Sequence, residues 1–97
     1  MSTKNNTETT QDETMKIQVR YDTKFGYITA FWWESSFQAG SYMMSLCMEE
    51  GHNECSPEWK NEGTIPATEE QTSIMKSNLE KLGYEDFIIV KRLGYPR

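Results

Sequence analysis

Cys47, His52 and Cys55 form a compact C-x4-H-x2-C cluster, and thiolate plus imidazole ligands suit zinc. A structural zinc site takes four ligands, normally from two paired short motifs, and the chain holds no further cysteine or histidine. Glu50 or Glu54 would have to complete the set, an unusual donor for a structural site. No metal site is therefore expected, and the two thiols are expected to stay apart, one in a helix and one in a loop. Two cysteines are also too few for a disulfide framework.

The same cluster fails as a nucleophile with its base. Cysteine and histidine normally meet from distant parts of a fold, with a third group orienting the imidazole. Here all three residues sit within nine positions, and no glycine-rich turn beside them supplies an oxyanion hole. The acidic pairs Glu49–Glu50 and Glu85–Asp86 are adjacent, so on regular elements their carboxylates diverge. The chain has no P-loop, no dinucleotide fingerprint and no H-E-x-x-H. Neither catalysis nor a cofactor is expected.

Two binding chemistries remain. "YITAFWW" places Trp32 beside Trp33, and exposed rings with a nearby guanidinium could stack a base. A small-ligand or nucleotide-binding domain, oligomeric, would use Arg20, Tyr27, Trp32, Trp33 and Arg92. The net charge of −5 opposes a phosphate-backbone polymer as ligand.

The second chemistry rests on where the charge lies. Residues 34–70 carry eight acidic side chains against Lys60 alone, and Glu50, Glu54, Glu58 and Glu62 recur every four positions. Charge of this kind keeps a loop soluble. Trp59, in the middle of these acids, instead resembles an interface anchor inside a polar rim. Trp33, Glu49, Glu50, Glu54, Glu58, Trp59 and Glu62 are the expected partner-binding residues, and a protein with a basic surface is the expected partner.

The elements that must position these residues follow from periodicity. Residues 1–14 lack an apolar side chain after Met1 and should form a disordered tail. The remainder, 15–97, is one small domain. Ile17, Val19 and Tyr21 alternate with polar residues as in a half-buried strand, "DTKFG" is turn chemistry, and "YITAFWW" follows as the second strand of an antiparallel hairpin. Trp32, with Ile28 and Ala30, is assigned to the core; Trp33, with Tyr27 and Phe31, is assigned to a contact surface.

Residues 36–50 fit a helix capped by Ser35 or Ser36 and ended by Gly51, with a third strand as the competing reading. Residues 51–67, with two prolines, are expected to be a long loop. Thr68 and Gln71 form a capping box for a helix that runs to Leu82, stops at Gly83 and turns Ile74, Met75, Leu79 and Leu82 inward. Phe87–Val90 gives a final strand beside the hairpin.

The expected fold is thus α+β: a small single domain with an antiparallel sheet of three or four strands packed against one or two helices. The expected function is that of a small acidic interaction protein, an inhibitor or adaptor docking on a basic site of a larger, nucleic-acid-handling protein. Viral or mobile-element antagonists have this physical profile. With no membrane-length apolar run and no charged-then-apolar start, a cytoplasmic location is expected.

Overall fold

The computed structural model describes residues 14–36 and 40–94. The tail assigned to 1–14 lies outside them but for Thr14. Among the described residues the architecture is α+β, with two helices and a six-stranded sheet. In chain order the elements are β1 (Met15–Asp22), β2 (Tyr27–Ser36), β3 (Gly40–Cys47), β4 (Gly51–Cys55), α1 (Pro57–Gly63), β5 (Ile65–Pro66), α2 (Glu69–Lys81) and β6 (Phe87–Ile89).

The sheet order is β4-β3-β2-β1-β5, and β6 also pairs with β1. All pairings are antiparallel except β1 with β6. The hairpin of β1 and β2 forms as its pattern implies, from Gln18↔Phe31 to Asp22↔Tyr27. Its turn is closed by Gly26, whose φ of +75° is a left-handed conformation that glycine adopts without strain. Asp22 Oδ1 accepts from the amides of Lys24 and Phe25.

Residues 40–47 are a strand, not the expected helix. Met44 and Leu46 turn to one face of the sheet and Met43, Ser45 and Cys47 to the other, and both faces are covered. Eight register pairs with β2 satisfy the β3 backbone. A helix would have held Gly40 inside it and two glutamates against its negative end, each a cost. The segment expected to be a loop holds β4, α1 and β5. Ser56 caps α1 by accepting from Trp59 N at 3.1 Å, and Pro57 opens the helix where a missing N–H costs nothing.

One face of the sheet is hydrophobic. Ile17, Val19, Ala30, Trp32 and Leu46 pack with Met75 and Leu79 of α2 in a single buried cluster. The α2 capping box is complete, since Thr68 accepts from Gln71 N and Thr68 N donates to Gln71 Oε1. Its inward stripe is narrower than expected: Met75 and Leu79 are fully buried, whereas Ile74 and Leu82 are exposed. Met75 and Leu79 lie four apart on one line; Ile74 is turned about 100° from it, and Leu82 lies at the helix cap. No helix among the described residues is long and apolar enough to cross a membrane.

The opposite face is polar and yet buried. Gln18, Asp22, Thr29, Ser45, Lys60 and Thr64 are all at most 7% exposed. Phe31 and Met43 supply the apolar part, and the Trp59 ring of α1 packs over Phe31 at 5.5 Å between centroids. The aromatic face of β2 is therefore not the open surface expected for it: Phe31 is fully buried because α1 covers the middle of that face.

Candidate functional site: an acidic, aromatic-walled cleft

The register separates the residues of the C-x4-H-x2-C cluster. Cys47 pairs with Gly51 and Cys55 with Met43, so the two cysteines lie four positions apart along the ladder, about 13 Å. That is twice the reach of a disulfide. Alternation along β4 puts His52 on the α2 face and Cys55 on the other. His52 Nε2 lies 2.7 Å from the Tyr84 hydroxyl, and both rings meet Trp32 edge-on. Among the described residues no group of three or more His, Cys, Asp and Glu converges as a metal site would. Burial pushes both thiols up, away from the reactive thiolate.

The residues of the nucleotide-pocket reading do not come together either. Trp32 is buried on the α2 face, whereas Arg20, Tyr27 and Trp33 belong to the opposite one. The Arg20 guanidinium bonds Thr64 through Oγ1 at 2.7 Å and the carbonyl at 2.8 Å. Trp33 stands six residues along β2 from Tyr27, about 20 Å, and its indole donates to the Gly94 carbonyl. Arg92 is exposed in the segment after β6.

What the polar face does assemble is a cleft of about 240 Å³ at one end of the sheet, where the β1–β2 and β3–β4 turns lie side by side. Asp22, Phe25 and Tyr27 from the first hairpin, Thr29 from β2, Glu50 from the second turn and Trp59 from α1 line it. Phe25 and Tyr27 stack at 5.7 Å with 23° between planes. Phe25 and Trp59 remain 61% and 38% exposed, so apolar rings rim a polar interior. Partial burial first, then the neighbouring Glu50, Cys47, Glu49 and Asp22, hold the Tyr27 hydroxyl above its ordinary pKa.

Of the residues expected to bind a partner, Glu50 and Trp59 line this cleft. Glu49 neighbours it on the same turn, and Glu58 and Glu62 lie exposed one helical turn apart on α1. Glu54 borders the cleft from β4, although its strand position is on the His52 side. Trp33 is remote. Sequence reasoning missed Asp22, Phe25 and Thr29, and the one available signal was "DTKFG" itself, an exposed aromatic residue in a turn that begins with an acid.

Beneath α1 lies a buried cation. Lys60 Nζ donates to Gln18 Oε1 at 2.8 Å and Asn61 Oδ1 at 2.9 Å, and no carboxylate bonds it among the described residues. Burial, and then the neighbouring Arg20, lower its pKa. A base whose folded pKa lies below its unfolded 10.5 gives up its proton earlier in the fold than in the unfolded chain. The unfolded chain then holds more protons, so stability rises with pH across that window. Wild type should gain stability relative to Lys60→Gln as pH climbs from neutral toward 10.5. Urea denaturation of both proteins at neutral and moderately alkaline pH measures the difference, and an unchanged gap would show that Lys60 is solvated in the fold.

A larger groove, about 690 Å³, follows the outer edge of β1 in the gap between β5 and β6. Val19, Pro66, Ala67, Ile89 and Val90 give it apolar walls, and it gathers no cluster of titratable groups.

Comparison with protein-family models, curated proteins and solved structures finds no match for this chain.

Proposed function

We propose that this protein is a protein-interaction module that docks its acidic, aromatic-rimmed end on a basic site of a larger partner, as an inhibitor or adaptor would. The observation that carries this reading is the convergence of Phe25, Tyr27 and Trp59 with Asp22 and Glu50 around one cleft, flanked by Glu49, Glu58 and Glu62. Exposed aromatic rings flanked by charged side chains are of the kind that anchor protein interfaces. The surrounding carboxylates give long-range attraction to a basic partner and repel acidic ones. A protein whose basic groove otherwise holds nucleic acid is the partner class that such a face fits, and viral or mobile-element antagonists have use for it.

The test is a capture experiment with host lysate. Wild type should retain a partner whose recovery falls steeply between low salt and about 0.5 M, because the screening length shrinks to a few ångströms. The combined reversal Glu49→Lys, Glu50→Lys, Glu58→Lys and Glu62→Lys touches only exposed positions. It should leave the melting temperature near that of wild type and reduce recovery at least tenfold. Recovery indifferent to both salt and reversal would sink the proposal.

A further inference from the structure

We infer that the cleft takes a single cationic side chain, a guanidinium or ammonium presented by the protein partner, and closes on it as an aromatic-walled carboxylate socket. The inference rests on the interaction reading above and adds to it the chemistry of the group that is inserted.

Two buried polar groups point to such an occupant. Asp22 is 4% exposed, and among the described residues only its Oδ1 is bonded, by the amides of Lys24 at 2.9 Å and Phe25 at 3.3 Å. Thr29 is 2% exposed as a residue, and no hydrogen bond to its hydroxyl is found among the described residues; neither that oxygen nor the second Asp22 oxygen is a sealed, unpaired atom, so both stay reachable by an incoming group. Both line the cleft. A carboxylate that lines a narrow, aromatic-rimmed cleft attracts a cation placed against it more strongly than one in open water. The cations of this chain that lie near it are committed elsewhere: Arg20 to Thr64, Lys60 to Gln18 and Asn61. Lys24 lies with its ammonium over the Phe25 ring, 5.4 Å from the centroid. Among the described residues no cation pairs with Asp22, and its charge is open to a group from outside.

The remaining walls suit that group. Phe25 and Tyr27 stack on each other, with Lys24 over the Phe25 ring, and Trp59 stands across the cleft, so a cation entering beside Tyr27 and Trp59 gains both ring quadrupole and carboxylate attraction. Lys24 over Phe25 shows that this ring already attracts an ammonium. Glu50 at the rim adds a second carboxylate. The volume, about 240 Å³, lies below the roughly 300–1,000 Å³ of sites for drug-sized ligands and accommodates one long side chain. An anionic or neutral polar occupant would leave Asp22 uncompensated.

Blocked tripeptides with glycine on both sides of arginine, lysine or citrulline are the probes, titrated into the isotopically labelled full chain and followed by amide chemical shifts. The arginine and lysine peptides should shift the amides of Asp22, Phe25, Thr29 and Asn53, saturating on the order of millimolar, as expected for so few contacts. The ratio of their affinities distinguishes guanidinium from ammonium as the preferred group. Citrulline, the neutral isostere of arginine, should shift them at least tenfold less. Asp22→Asn keeps the Oδ1 acceptor that closes the turn and removes the charge, and should weaken the cationic peptides about tenfold. Thr29→Val should weaken them less. Equal binding of citrulline, shifts confined to other parts of the surface, or undiminished affinity in a natively folded Asp22→Asn protein would overturn the inference. The four-glutamate reversal leaves Asp22 and Thr29 in place. Loss of partner capture with peptide binding to Asp22→Asn unchanged therefore fails the socket alone, whereas capture indifferent to salt fails the docking reading itself.

Discussion

Trp32→Ala should leave the chain largely unfolded at ambient temperature, whereas Trp33→Ala, its immediate neighbour, should melt as a cooperative domain. Trp32 is 2% exposed and is the largest side chain in the cluster beneath α2, against which His52 and Tyr84 also pack edge-on. Truncating a buried tryptophan costs about 3–5 kcal/mol in lost transfer energy and residual cavity. A domain of this size has on the order of 5 kcal/mol in total. The indole N–H of Trp32 has no hydrogen-bond partner among the described residues, so Trp32→Phe removes volume without orphaning an acceptor and should cost far less than alanine. Trp33 is half-buried, and its removal forfeits the bond to the Gly94 carbonyl, about 1 kcal/mol. Thermal melts of the three variants check the order. A Trp33→Ala protein that unfolds while Trp32→Ala holds would mean that the two faces of β2 are reversed.

Gly63→Ala should dislodge Trp59 and disable the cleft while the α2 side of the sheet stays folded. Gly63 is the last residue of α1, four positions after Trp59, and a Cβ placed there would come within 2.6 Å of the Trp59 indole nitrogen. The indole cannot retreat inward, because its other side rests on the buried Phe31, so it must swing out and leave the cleft wall. Alanine normally favours a helix over glycine by up to about 1 kcal/mol. Overpacking of this severity costs about 1–3 kcal/mol and decides the sign. Near-ultraviolet circular dichroism should show the loss of the Phe31–Trp59 arrangement, and recovery of the partner should fall several-fold. An unchanged spectrum together with full recovery would show that α1 shifts to accommodate the methyl group without consequence.

How much of this was legible in the sequence differs from element to element for physical reasons. The first hairpin and α2 carry local signals strong enough to stand alone: strict alternation around "DTKFG", and a hydroxyl cap answered three residues later by glutamine. β3 does not, because a strand covered on both faces loses the period that would distinguish it from a buried helix. α1 had its signal, Ser56 before Pro57, but it was short and lay among prolines, glycines and acids that suggest a loop. The acids at Glu49, Glu50, Glu58 and Glu62 and the ring of Trp59 were visible as a composition bias. The floor of the cleft was not. Asp22 meets Tyr27, and Thr29 meets Cys47, only through cross-strand register, which no linear spacing reveals. His52 was drawn to the cysteines by proximity in sequence, and alternation along β4 turned it to the opposite face.

The double use of β1 has a consequence for how the chain is made. Its outer edge is sealed at one end by β5 and at the other by β6, and the bond from Gln18 to the Lys91 carbonyl spans 73 residues. During synthesis the β1–β2–β3–β4 meander can form as soon as it emerges, with the start of β1 exposed along one side. That edge stays open as a template for other chains until residues 87–91 have left the ribosome. Completion of the sheet is therefore a late, slow event set by loop closure rather than by local propensity. A nascent chain stalled before β6 should aggregate more readily than one in which β6 has paired with β1.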